Sequence, residues 1–117
     1  MSGRLTTHVL DTARGCPAAG VKIALYRLSG HSHRRIAETA TNADGRTDAP
    51  LLSGAALKAG VYELVFFAGD YLRANGAGAE ILFLDQIPIR FGVSDPAQHY
   101  HVPLLLSPWA YSTYRGS

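Results

Sequence analysis

The feature that most constrains this chain is a run of short segments that switch between apolar and other residues at every second position. Glycine, proline, asparagine or aspartate closes most of them. A period of two suits a strand with one buried face; a helix repeats every 3.6 residues. Residues 5–10 set the pattern, with Leu5, Thr7 and Val9 on one side and Thr6, His8 and Leu10 on the other. A loop over residues 15–20 precedes a strand over 21–28, where Val21, Ile23 and Leu25 share a face. The polar residues 31–35 read as a loop leading into a strand over 36–41. Asn42-Ala43-Asp44-Gly45 is turn chemistry, and Arg46 emerges directly from it.

Residues 51–58 read as a loop, and residues 61–67 as a buried β-branched and aromatic strand. The best short helix covers residues 70–75, with Gly69 or Asp70 as its cap and Gly76 just past its end. A strand lies within residues 81–93. Its Pro88 cannot donate to a ladder, which puts the strand at an edge or a bulge. Asp95-Pro96-Ala97 turns the chain into a strand over 99–106. Pro103 demands an irregular ladder there, and Ser107-Pro108 makes a corner before a last strand over 109–115. Seven or eight short strands and one brief helix predict an all-β sandwich of two sheets.

Length and composition narrow the function classes. The 117 residues suit one domain, residues 1–117, and 47% hydrophobic residues exclude disorder. A formal charge of +2 is too balanced for nucleic-acid binding, and no stretch is long and apolar enough for a membrane span. Nine arginines against two lysines favour recognition of planar polar groups. The one cysteine, Cys16, forms no intrachain disulfide and reads as structural, which fits a reducing compartment. With no apolar signal core at the N-terminus, the expected location is the cytoplasm.

Period-two alternation also sorts the candidate chemistry. His8 shares a face with Thr6 and Leu10, His99 with His101, Pro103 and Leu105, and Ser112 with Tyr114. If those strands share a sheet, His8, His101, Ser112 and Tyr114 converge on one surface. Two imidazoles at i and i+2 also match strand-borne zinc sites, with His8 as the third ligand beside His99 and His101. His31 and His33 read as exposed loop residues without a role.

The motifs resemble those of one family. Leu5-Thr6-Thr7-His8-Val9-Leu10-Asp11-Thr12, followed by Gly15-Cys16-Pro17-Ala18-Ala19-Gly20, is similar to the N-terminal signature of the 5-hydroxyisourate hydrolases, the transthyretin-related proteins. Thr41-Asn42-Ala43-Asp44-Gly45-Arg46 resembles their second motif. Residues 99–108 with Tyr111-Ser112-Thr113-Tyr114-Arg115-Gly116-Ser117 resemble their third. The terminal Tyr-Arg-Gly-Ser is the part that separates these hydrolases from transthyretin, the hormone carrier.

The resemblance implies a transthyretin-like sandwich of two four-stranded sheets with one short helix. It implies a homotetramer with its active sites at the dimer–dimer interface, and metal-free, cofactor-free hydrolysis of 5-hydroxyisourate in urate (purine) degradation. His8, Arg46 and His101 carry over as catalytic residues. His8, Arg46, Ser112, Tyr114, Arg115 and Ser117 carry over as substrate-binding residues. These groups suit the reaction. Imidazole exchanges protons near neutral pH, and a guanidinium holds a planar substrate and an oxyanion while staying charged. Either His101 or His8 would activate water, Tyr114 would position substrate, and the Ser117 carboxylate would anchor a neighbouring cation. The rival readings are a small-molecule carrier using the same channel and a zinc hydrolase built on His8, His99 and His101.

Overall fold

A computed structural model of the chain describes residues 3–116. In chain order its elements are β1 (Arg4–Thr6), β2 (Val9–Asp11), β3 (Cys16–Pro17), β4 (Lys22–Ser29), β5 (Ser32–Ala40) and β6 (Leu52–Ser53). They continue with β7 (Gly60–Phe67), α1 (Ala68–Ala74), β8 (Gln86–Val93), β9 (Tyr100–His101), β10 (Leu104–Leu106) and β11 (Tyr111–Thr113). One antiparallel sheet runs β5-β4-β7-β8.

The second sheet is built around a parallel ladder. Leu5 pairs with Tyr100 and Thr6 with His101 in β1 and β9. Val9 pairs with Leu104 in β2 and β10. The offset is the same on both sides of the gap, so β1–β2 and β9–β10 are two strands, each interrupted once. Val102 N–H donates to Thr6 O and Leu104 N–H to His8 O across the interruption. The interruption falls at Val102-Pro103, where the sequence calls for an irregular ladder. The donors toward β1–β2 come from the neighbours of Pro103, and its own position, which has no N–H to give, faces the other edge. Beside this pair lie β6 and β3 on one edge and β11 on the other, which completes a sandwich of two four-stranded sheets.

The core sits between the sheets and follows the alternation. Leu5 and Val9, Ile23 and Leu25, Tyr62, Leu64 and Phe66, Ile87 and Ile89, and Leu104 and Leu106 are all buried. Each such side chain contributes roughly 1.5–3 kcal/mol of transfer free energy. Thr7 is the polar member of the inward row, and its hydroxyl donates to Val102 O at 2.7 Å. Asp11 is buried as well. Its Oδ1 accepts from the Ala13 and Arg14 N–H groups at 3.1 and 3.0 Å. Its Oδ2 accepts from the Tyr71 hydroxyl at 2.7 Å, tying α1 to the second sheet.

Four local expectations change. β5 starts at Ser32, because Gly30-His31 make a two-residue hairpin with Ser29 opposite Ser32. His33 is therefore a strand residue; its ring stacks on Tyr26 at 4.3 Å and Nε2 lies 3.2 Å from Glu63 Oε1. The loop expected over residues 15–20 contains the two-residue strand β3, and residues 51–58 hold β6 and a 3-10 turn at Gly54–Ala56. The helix begins at Ala68, two residues early. Gly69 and Asp70 lie inside it, and Gly69 is needed there because a Cβ would collide with Asp85. Gly76 does stand past the helix end, with φ 103°. β8 begins only at Gln86, opposite Phe67, because β7 ends there and offers no partner to residues 81–85. Pro88 lies on β8, the edge strand of its sheet.

Candidate active site

The outward face of β1–β2 carries Arg4, Thr6 and His8 at successive second positions, while Leu5, Thr7 and Val9 point into the core. The parallel register then places His101 beside Thr6, with Thr6 Oγ1 2.8 Å from His101 Nδ1. On the other side, His8 forms an isolated antiparallel bridge with Arg46.

Arg46 arrives there because its turn is clipped to the strand. Asn42 Oδ1 accepts from the Asp44 and Arg46 N–H groups at 2.9 and 3.2 Å. Gly45 O accepts from Val9 N–H at 2.8 Å. The turn also lays the Asp44 carbonyl 2.9 Å from His8 Nε2. A carbonyl only accepts, so Nε2 carries the proton and Nδ1 of the neutral ring holds the lone pair.

These elements border a cleft of about 450 Å³ lined by Arg4, Thr6, Arg46, Asp48, His99 and His101, among others. His101 is half-buried in it. Its pKa is held below the ordinary imidazole value, first by burial, then by the positive charge of Arg46 and by that of His8 whenever His8 is protonated. The ring is neutral at pH 7 and able to take a proton. The chain returns to cover it: Gly116 N–H donates to His101 O at 2.7 Å, and a Cβ at Gly116 would stand 2.6 Å from His101 Cδ2. Only glycine fits against that ring.

The other site residues read from the sequence are placed differently. Ser112 pairs with Leu105, which pairs with Leu10, so Ser112 shares the outward face with His8 but does not line the cleft. β11 ends at Thr113, so alternation no longer governs Tyr114. Tyr114 and Arg115 line a second groove of about 290 Å³ beside Ile89, Arg90 and Phe91 of β8. The Arg115 guanidinium lies 4.2 Å from the Tyr100 ring centre and donates to Gln98 Oε1 and His99 O at 2.9 and 3.1 Å. Ser117 lies outside the described residues. Among the described residues no three of His, Cys, Asp and Glu gather as metal ligands, so His8, His99 and His101 do not form the donor set of the zinc reading. No helix among the described residues is long and apolar enough to cross a membrane.

Arg4, Thr6 and Asp44 were not singled out from the sequence, and Gly116 entered only as part of the terminal motif. Carrying the alternation of β1 one step back from Thr6 finds Arg4. The contacts of Asp44 and Gly116 are backbone contacts and leave no side-chain signal.

Comparison with known proteins adds a second line. Residues 5–116 match the model of the HIUase/Transthyretin family. A 5-hydroxyisourate hydrolase of Mesorhizobium japonicum is 66% identical over 116 residues, covering 98% of this chain and 93% of that protein. Among solved structures, an (S)-allantoin synthase superposes with a TM-score of 0.94 at 49% identity over 99% of this chain, which spans 44% of that longer one. Transthyretin from Sparus aurata superposes with a TM-score of 0.87 at 27% identity, over 97% of this chain and 96% of its own.

Proposed function

This chain belongs to the HIUase/Transthyretin family, and we propose that it is an enzyme hydrolysing 5-hydroxyisourate to 2-oxo-4-hydroxy-4-carboxy-5-ureidoimidazoline in urate breakdown. The observation that carries the reading is the half-buried imidazole of His101 in a polar cleft that it shares with Arg46, with His8 bridged to Arg46 just outside the lining. The 66% identity to a 5-hydroxyisourate hydrolase, against 27% to a transthyretin, favours the enzyme over the carrier.

The product bears a carboxylate and a ureido group, so the bond broken is a ring C(O)–N amide bond. His101 takes a proton from water as the water oxygen bonds to the carbonyl carbon. Arg46 stabilises the oxyanion that develops on the carbonyl oxygen. When the C–N bond breaks, the imidazolium returns its proton to the leaving nitrogen, and the new carboxylic acid ionises. His8 accepts a hydrogen bond from the attacking water at Nδ1 and so orients it. Such acid–base help is worth about 10²–10⁴ in rate. The mechanism uses protein groups alone, without metal or cofactor. Ser112 remains a substrate-binding residue on the same face. Tyr114 and Arg115 line a separate groove of the same protomer, so in this reading their part in substrate binding is played where a second copy brings that groove to a neighbouring cleft.

We further read residues 1–117 as one hydrolase domain that acts in the cytoplasm as a homotetramer, with the sites at the dimer–dimer interface. The free cysteine Cys16 asks for no oxidising compartment. β8 and β11 are both edge strands, and residues of both line the second groove, so two open edges lie on one flank ready to pair with a second copy.

The test is direct. 5-Hydroxyisourate is generated from urate with urate oxidase, the protein is added, and the ultraviolet decay is followed. Wild type accelerates the decay and His101→Ala reduces that acceleration by about 10²-fold or more. No acceleration by wild type overturns the hydrolase reading and leaves the carrier ahead.

A further inference from the structure

The hydrogen bond between β1 and β9 assigns a role to a residue that the reaction itself does not call on. We propose that Thr6 is a positioning residue that holds His101 as the Nδ1–H tautomer, leaving Nε2 as the proton acceptor in the cleft.

Three observations fix the ring. Thr6 is the register partner of His101, so their side chains leave the sheet on the same face. Thr6 Oγ1 stands 2.8 Å from Nδ1. Gly116 backs the opposite edge, where a Cβ would come within 2.6 Å of Cδ2. With Nδ1 and Cδ2 both occupied, Cε1 and Nε2 form the open edge of the ring.

The neighbouring threonine shows that the arrangement is divided between the two faces. Thr7 sends its hydroxyl inward to Val102 O at 2.7 Å, while Thr6 sends its own outward to the imidazole. Threonine is stiff at χ1, so its hydroxyl is held at the ring with little rotamer freedom to lose.

The chemistry explains why a hydroxyl stands there. A hydroxyl accepts from Nδ1–H in both the neutral and the cationic ring, so no partner has to turn when Nε2 takes its proton. A carboxylate in that place would favour the cation and raise the pKa. Thr6 orients the ring without charge and leaves His101 neutral near pH 7. The assignment of Nε2 as the working atom rests on the hydrolase reading; the tautomer itself does not.

The experiment therefore has two independent arms, using Thr6→Val, which keeps the shape and removes the hydroxyl, and Thr6→Ser, which restores it. In the first arm, 15N NMR of the ligand-free wild type above the His101 pKa reads the ring nitrogens directly. A protonated Nδ1 with an unprotonated Nε2 supports the proposal, as does a shift toward the Nε2–H form in Thr6→Val. An Nε2–H ring in wild type overturns it. In the second arm, Thr6→Val lowers kcat for 5-hydroxyisourate about tenfold, with KM within about twofold, and Thr6→Ser recovers most of the loss. An unchanged kcat in folded Thr6→Val overturns the positioning role. Should Thr6→Val fail to fold, the wild-type tautomer and the Thr6→Ser turnover decide. A wild type that does not hydrolyse 5-hydroxyisourate sinks the hydrolase reading alone, since the first arm needs no substrate.

Discussion

His8 and Arg46 face each other as an isolated bridge pair, and the turn that leads into Arg46 also presents the Asp44 carbonyl to His8 Nε2 at 2.9 Å. One turn thus sets both the tautomer of an imidazole and the place of a guanidinium. Gly45 makes that turn possible. Its φ is 75°, and a Cβ there would collide with the Val9 carbonyl oxygen. Gly45→Ala is expected to lower stability by about 1–3 kcal/mol in urea unfolding. The same change lowers the turnover of the fraction that remains folded, because Asp44 and Arg46 move with the turn. A variant with wild-type stability and turnover would mean that the turn has slack.

The proposed role of His101 makes a pH prediction. The ring works as a base only when unprotonated, and burial, Arg46 and His8 hold its pKa below the ordinary 6.5. The acid limb set by His101 should therefore have its midpoint below pH 6.5. Replacing Arg46 with Gln removes one of the depressing charges, so the acid limb moves upward. The same change cuts kcat by about 10²–10³-fold through the lost oxyanion contact. An acid limb that stays in place in Arg46→Gln would separate Arg46 from the titration of His101.

Arg4 lies on the outward face of β1, one alternation step beyond Thr6, and lines the same cleft. Among the described residues no carboxylate lies within ion-pair distance of Arg4 or Arg46. In register Arg46 stands opposite His8, two residues to one side of Thr6, and Arg4 lies two residues to the other side. Arg4→Gln is expected to raise KM about tenfold with kcat within about threefold, the pattern of a contact made equally in ground and transition states. Steady-state kinetics with freshly generated substrate read the split. A fall in kcat at constant KM would move Arg4 into the chemical step.

Tyr71 and Asp11 give a stability prediction away from the cleft. Burial first, then the hydrogen bond and charge of Asp11, push the Tyr71 phenol up from 10.0 to about 12. The folded state keeps that proton where the unfolded chain loses it. The stabilisation is complete below pH 10, and it is lost as pH rises from 10 toward 12. Tyr71→Phe leaves Asp11 Oδ2 without its donor and should cost about 1–3 kcal/mol by denaturant titration at pH 7. It should also flatten the alkaline loss of stability seen in wild type. An equally steep alkaline loss in the variant would assign it to another group.

Much of the fold was legible because burial on one face leaves a period of two in the sequence. Residues 5–10 told which side chains point inward, and Asn42-Ala43-Asp44-Gly45 told where the chain turns. Pro88 marked the edge strand, and Pro103 marked the break in the parallel ladder. Less was legible where the local signal was polar or weak. Residues 33–35 read as loop because both faces of the edge strand β5 meet solvent there, and Ala68 gave no sign of starting a helix.

The candidate site divides in the same way. From the residues alone, alternation placed Thr6 with His8 and His99 with His101 on common faces; the family motifs added Arg46 to the catalytic set. Period two identifies a face but not the neighbour across the ladder, since register is settled by core packing between segments far apart in sequence. The constant offset that sets Thr6 against His101, the bridge that sets Arg46 against His8 and the return of Gly116 over the imidazole are all long-range contacts. Tertiary structure also carried Tyr114 into a different groove, beside Arg115, because the ladder that would have held Tyr114 on the His8 face ends at Thr113.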